Sequence, residues 1–434
     1  MRDIPVLVFL IGSLPVCFVR PAYGILVWTL MSFLNPQSFT WGVARYANLA
    51  VFVAASTLAG SVFSARWYRL FCREVLLMAV LWIWFTVTTL NSAYDPVFAE
   101  KAADAWYHWS MVSKIFLMTA VTVGIIDSWK RLRWLALAIA GSFGFLVLKS
   151  LPMIILTGGA FRVYGPGNTM IADNNDFGLA LNMALPFFFF LAKTETNRWL
   201  KGLSSFLFVT TIPIILFTYS RGALVGLIAV LFCMLLQAKQ KTILIPLTLL
   251  VLLFAAFLTP EAWKGRMSTD NAMNSSALSR VNAWTYSWNL AIAYPLMGGG
   301  FEAFTPSLFA QYAPNARDVH GPHSIYFGVL AEHGFTGLFL YLSLVVSSFA
   351  GLRRIVRTAR LNGDERSASY AHMLGFGLVG FLTSGAFLGR AYFDFFFSIV
   401  ACIAILRQLC QAEWAQDSPD SEVSGELLSE EAGF

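Results

Sequence analysis

The stretch Trp199–Gln237, WLKGLSSFLFVTTIPIILFTYSRGALVGLIAVLFCMLLQ, decides the fold. Two apolar runs, 199–218 and 222–237, are split only by the polar turn around Tyr219-Ser220-Arg221. Each approaches the ~20 residues that carry a helix across a ~30 Å hydrocarbon core. Joined so closely, they must form a tight turn at one membrane surface or an unwound hinge. Comparable apolar segments recur at 46–63, 73–91, 110–126, 133–157, 175–192, 242–259, 323–350, 370–388 and 391–409. A further segment, 4–34, is interrupted by Pro15 and by Arg20-Pro21.

The composition agrees with that reading. Of 434 residues, 57% are hydrophobic and 12% charged, against about 25% charged in a soluble domain, and mean hydropathy is +0.65. A soluble enzyme, a DNA-binding domain and a disordered scaffold are excluded. The five cysteines lie in or beside apolar runs without CxxC spacing, which argues against a disulfide framework or a thiolate metal site.

Charge sets the sidedness. Lys and Arg number 30 against 24 Asp and Glu, and seven of the acids fall between Glu413 and Glu431, where there is no Lys or Arg. The rest of the chain is therefore strongly basic, as expected of cytoplasmic loops rather than of a nucleic-acid binder. Alternate connectors carry the basic residues: Arg66, Arg69 and Arg73; Lys130, Arg131 and Arg133; Lys193, Arg198 and Lys201; Lys239 and Lys241; Arg353 to Arg366. These belong inside. The connectors around Arg162, Arg221 and Arg390 and the long loop at 260–322 then face outward, which in a bacterium is the periplasm. Residues 4–34 must end outside, as one broken span with the N-terminus inside or as a short hairpin. The single broken span is preferred.

The expected fold is thus an all-α polytopic membrane protein of about twelve transmembrane helices with a large periplasmic loop. Residues 1–410 form one membrane domain, and 411–434 a disordered acidic cytoplasmic tail.

Arginine on the outer side is the informative feature. Arg221 in Thr218-Tyr219-Ser220-Arg221-Gly222 is either an interfacial snorkeller or a binding group, since an arginine at membrane depth needs a partner or water. Arg280 opens a segment in which Leu278, Val281, Trp284 or Thr285, Trp288 and Ile292 recur at helical spacing, marking an amphipathic helix on the outer leaflet. Near that helix's start its guanidinium would join a field that favours anions. His323, after Gly321-Pro322, opens the next span as a helix-start residue or as a base that titrates near neutrality.

Other polar groups have plainer readings. Asp173-Asn174-Asn175-Asp176 caps a helix more simply than it binds metal. Arg390 and Asp394, four apart, can pair with each other. Glu332 and His333 lie either in buried structure or in a functional lining, and His108 and His372 show no pattern. Gly298-Gly299-Gly300 is a hinge, not a nucleotide fingerprint.

The long outer loop with Arg280, then Pro295-Leu296-Met297-Gly298-Gly299-Gly300, then His323-Ser324 opening a span, resembles the O-antigen ligase and polymerase superfamily. The Thr218–Gly222 turn and Arg162-Val163-Tyr164-Gly165-Pro166-Gly167-Asn168 resemble motifs of the same family, whose histidine is more often followed by Asn. The first 150 residues look like O-glycosylation ligases of exosortase-bearing bacteria. The resemblance implies a GT-C-like glycosyltransferase of the inner membrane. It would move a glycan from undecaprenyl diphosphate to lipid A-core among membrane lipids, with no cofactor, metal or nucleic acid. It implies diphosphate binding for Arg221 and Arg280, base catalysis for His323, and substrate contacts for Arg162, Tyr219, His320 and Arg390. A polymerase or a protein O-glycosylation ligase would use the same groups, and a lipid-linked oligosaccharide transporter would instead need charges near mid-bilayer.

Overall fold

The computed structural model describes residues 3–237, 242, 244–256 and 270–416, and every regular element among them is helical. In chain order these are α1 (Asp3–Val19), α2 (Pro21–Phe33), α3 (Leu49–Ser64), α4 (Arg73–Tyr94), α5 (Ala102–Ile125), α6 (Trp129–Thr157), α7 (Asn174–Thr194) and α8 (Arg198–Phe217). They continue as α9 (Arg221–Gln237), α10 (Leu244–Ala256), α11 (Asp270–Ala293), α12 (Pro306–Tyr312), α13 (Ile325–Leu361), α14 (Glu365–Gly385) and α15 (Asp394–Gln416). Seven of these, α4 to α8, α13 and α15, are long and apolar enough to cross a membrane, while α1, α2, α3 and α9 are shorter apolar helices. The chain is an all-α polytopic membrane protein. Part of the expected span at 242–259 and of the loop at 260–322, and most of the expected tail at 411–434, lie outside the described residues.

Polar side chains set several boundaries. Asp173, Asn197 and Asp364 begin α7, α8 and α14 by accepting backbone N–H bonds from the first turn, satisfying donors that a helix start leaves open. Gly158 ends α6 in the left-handed conformation. 

Residues 4–34 form a hairpin, not one broken span. Arg20, at φ −131° and ψ 77°, separates α1 from α2, and Pro21 starts α2 where a missing N–H costs nothing. The N-terminal end of α1 then meets the chain beyond α2, with Asp3 Oδ1 accepting from Ala44 N at 3.1 Å. Both ends of the hairpin therefore lie on one face.

Contacts between distant connectors sort the molecule into two ends. At one, Arg66 pairs with Asp127, Arg133 with Glu195, Arg366 with Glu413 and Arg407 with Glu74. At the other, Arg390 pairs with Asp176 and His108 with Glu302. The basic connectors thus gather at one end, opposite the loop around Glu302.

The core is centred on α7, flanked by α6, α8, α9 and α14. Lipid tails are as apolar as leucine, so helices in a bilayer associate through close packing and hydrogen bonds. Gly226 of α9 shows this: a Cβ there would lie 1.9 Å from Ser384 Oγ. Asn182 of α7 ties the same three helices together, donating to Ala223 O at 2.7 Å and Ser384 Oγ at 3.0 Å.

Helix α13 is broken at Gly334, whose φ of 67° and ψ of −171° are non-helical. The glycine-rich segment docks into the break: Gly299 N donates to Ala331 O at 2.8 Å, Gly300 N to Glu332 O at 2.7 Å, and Phe335 N to Pro295 O at 2.9 Å. Lys101 lies beneath and donates to the carbonyls of Gly299, Gly300 and Phe301. Residues 295–301 are therefore a fixed brace, not the hinge that three glycines suggest. A Cβ on Gly334 would sit 2.4 Å from Leu296 O, in a region nearly confined to glycine, where other residues pay about 1–3 kcal/mol. Gly334→Ala is expected to lower Tm by several degrees in detergent. Gly141→Ala, in open space, is expected to leave it unchanged, and equal melting of the two variants would remove this account of the brace.

Candidate active site

Helices α7, α9, α13 and α15 all begin at the loop end, so four helix dipoles turn their positive ends toward that face and favour anions there. Arg221 is the first residue of α9 and is exposed. It follows a turn in which Tyr219 is left-handed at φ 55° and Thr218 O accepts from Asn174 Nδ2 at 2.7 Å. Strained backbone of this kind persists only where its surroundings hold it. Arg162 lies beside that turn, because Val163 N bonds Phe217 O at 3.0 Å and the Tyr219 hydroxyl donates to Gly159 O. Tyr219 thus supports the turn through its hydroxyl.

His323 is also left-handed, at φ 43°, one residue before the N-cap of α13. It lies against the loop between α14 and α15: a Cβ on Gly389 would be 3.9 Å from its backbone. Through the same loop, a Cβ on Gly222, beside Arg221, would lie 3.2 Å from Phe387 Cβ and 3.6 Å from Leu388 Cγ. Arg280 comes from α11, held above by Trp284, whose Nε1 donates to Pro322 O at 2.7 Å while its ring stacks on Phe327 at 5.2 Å. Arg221, Arg280 and His323 therefore share one neighbourhood.

Electrostatics bind the group further. Burial lowers the His323 imidazole from its ordinary value, and Arg280, His320 and Arg390 push it the same way, against Asp173. These causes favour the neutral imidazole. Burial likewise lowers Arg280, with Arg221 as the second cause. A guanidinium whose charge is disfavoured by a second one nearby is relieved by an anion.

Three expectations change. Arg390 does not pair with Asp394, because residues 386–393 lie between helices α14 and α15 and four-residue spacing there puts no two groups on one face. It pairs with Asp176, at 2.6 Å. Arg280 is not in the first turn of its helix, since α11 starts at Asp270, so the dipole adds little and its own charge is what it brings. The stripe Leu278, Val281, Trp288 and Ile292 is exposed while Ala283, Tyr286 and Leu290 are buried, so this part of α11 is apolar on both faces rather than amphipathic. His320 is 53% exposed and paired with Asp318 at 2.7 Å, near enough to His323 to act on its charge.

Asp173 caps α7, accepting from Asn175 N at 2.8 Å. Glu332 and His333 are buried structure: Glu332 accepts from Tyr392 at 2.5 Å and Glu302 N at 3.1 Å, and His333 Nδ1 meets Thr88 Oγ1 at 2.7 Å. His108, without pattern in the sequence, pairs with Glu302 at 2.9 Å and lines a cavity of about 430 Å³. Asn35, Gln37, Asn168, Thr169 and Arg390 line it too. Arg390 thus faces both the cavity and His323. Asn35 and Gln37, from the α2–α3 connector, lie more than 130 residues from Asn168 in the chain, and nothing in the sequence links them.

Residues 206–342 match the family model described as O-antigen ligase. That segment belongs to the O-antigen ligase family. It contains Arg221, Arg280 and His323 but neither Arg162 nor Arg390. Residues 1–196 match a family of unknown function, DUF5935, and supply the hairpin and most of the cavity wall, while no lining residue comes from the ligase-family segment. No curated protein matches the chain. The match implies a glycosyltransferase-like enzyme of O-antigen processing, a family whose substrates are in general a lipid-linked glycan and a lipid acceptor, and the apolar helices make the protein a multi-pass membrane protein.

Proposed function

We propose that the protein transfers a polysaccharide from undecaprenyl diphosphate to lipid A-core at the periplasmic face of the bacterial inner membrane. The observation that carries this reading is a histidine beside guanidiniums that have no carboxylate of their own. Among the described residues neither Arg221 nor Arg280 forms an ion pair with a carboxylate, whereas Arg390 does. Forked donors match phosphate oxygens. In a single displacement, the acceptor hydroxyl gives its proton to His323 and its oxygen bonds the anomeric carbon. The bond from that carbon to the diphosphate oxygen breaks, its electron pair leaves with the diphosphate, and the configuration inverts. Charge grows on the leaving oxygen, where Arg221 and Arg280 stabilise it. The amide-rich cavity beside Arg390 suits sugar hydroxyls, and the exposed stripe of α11 suits a lipid surface along which the polyprenyl chain can lie.

The test is transfer by the purified protein from undecaprenyl-diphosphate glycan to lipid A-core in EDTA, read on a gel. Glycan on lipid A-core without ATP or added metal is expected. Lengthening of the lipid-linked glycan alone would replace the ligase with a polymerase, and no product of either kind would overturn both.

A further inference from the structure

At the end of the bundle opposite His323, the Trp67–Leu70 turn and the C-terminal part of α15 enclose a cavity of about 530 Å³. Its charged lining is Arg66, Arg69, Arg73 and Arg407 with one acid, Asp127. That acid is already shared, at 3.3 Å from Arg66 and 2.7 Å from Arg131. Arg73 and Arg407 likewise share Glu74, at 3.3 and 2.9 Å. Arg69 has no ion pair among the described residues. It is 7% exposed, and its Nε donates to Gln408 Oε1 at 2.6 Å while Gln408 Nε2 returns a bond to Arg69 O at 2.8 Å. Its Nη2 is buried without a hydrogen bond, as are Nε of Arg73 and Nε of Arg407.

A guanidinium fixed by a neutral amide, desolvated, and turned toward three more arginines is costly unless an anion joins it. Burial is the main cause that lowers the Arg69 pKa; Asp127 and then Tyr68 oppose it, and the neighbouring Arg66 adds to it. Positive-inside sorting explains arginines on this side of a membrane, but not why one is buried with its donor unmet. The surroundings identify the anion's carrier. Phe71 and Tyr68, 81% and 69% exposed, line the same cavity, at the level where aromatic side chains meet lipid headgroups. A free inorganic ion has no use for that apolar rim.

We propose that this cavity binds the phosphate of an anionic phospholipid, with the headgroup on Arg66, Arg69, Arg73 and Arg407 and the acyl chains across Phe71 and Tyr68. Basic pockets between membrane helices on the cytoplasmic side recognise headgroups in this way. Such a site is independent of the transfer chemistry at the other end.

The test uses the full-length protein, stripped of lipid in mild detergent, then given equal phosphatidylglycerol and phosphatidylcholine, with retained lipid read by native mass spectrometry. Preferential retention of phosphatidylglycerol is expected. Arg66→Ala, at an exposed position, should weaken it about fivefold, the effect of one basic residue near a headgroup, and Arg69→Gln should weaken it more. Transfer by Arg66→Ala should be unchanged, so loss of retention is separable from any failure of the transfer reading. Equal retention of the two lipids would overturn the proposal, as would unchanged retention in Arg66→Ala even if Arg69→Gln does not fold. Displacement of phosphatidylglycerol by an equal concentration of inorganic phosphate would reassign the site to a free anion and overturn the lipid.

Discussion

His323→Ala is expected to lower kcat about a hundredfold to ten-thousandfold, the range supplied by a positioned base, while donor affinity persists because Arg221 and Arg280 remain. The acid side of the pH profile carries the sharper signature. Burial, then Arg280, His320 and Arg390, lower the His323 pKa in the free protein, so kcat/KM should hold below the ordinary histidine range and fall only as the imidazole takes its proton. A bound diphosphate neutralises those guanidiniums and brings its own negative charge near the ring. Both effects raise the pKa, so the acid limb of kcat should lie at higher pH than that of kcat/KM, since the two report the complex and the free enzyme. Coincident limbs, or equal rates for His323→Ala and the parent, would take the base assignment away from His323.

How much of this was legible in the sequence depends on the distance over which each feature is decided. Which connectors share an end of the bundle could be read because Lys and Arg are counted locally, and the ion pairs at the two ends, Arg66 to Asp127 and Arg390 to Asp176, group them the same way. The start of α7 at Asp173 could be read because a cap acts within three residues. The hairpin at 4–34 could not be chosen, since Pro15 and Arg20-Pro21 break a single span and a hairpin alike, and the deciding contact joins Asp3 to Ala44. Arg390 next to Asp394 invited a helical pairing that needed a helix not formed there. His108 and Glu302, and Arg69 and Gln408, are partners only through tertiary packing. Neither pair leaves a periodic trace.

Arg280→Ala is expected to cost about a hundredfold to a thousandfold in transfer, as loss of one preorganised donor to a developing oxyanion does, and to weaken donor binding as well. What separates Arg280 from a simple lipid anchor is its reach to His323. After burial, it is the foremost charge holding that imidazole down, so the variant's kcat/KM acid limb should move to higher pH. Arg280→Lys then divides the two roles. An ammonium restores positive charge near the ring, and the limb should return toward that of the parent, whereas a point charge cannot reproduce the forked donors, so the rate should stay well below it. An arginine that only anchors α11 to lipid phosphates would give a different pair of results, an unmoved limb in Arg280→Ala and full activity in Arg280→Lys. In that case the diphosphate would have to be held by Arg221 and the N-terminus of α9 without help from the loop.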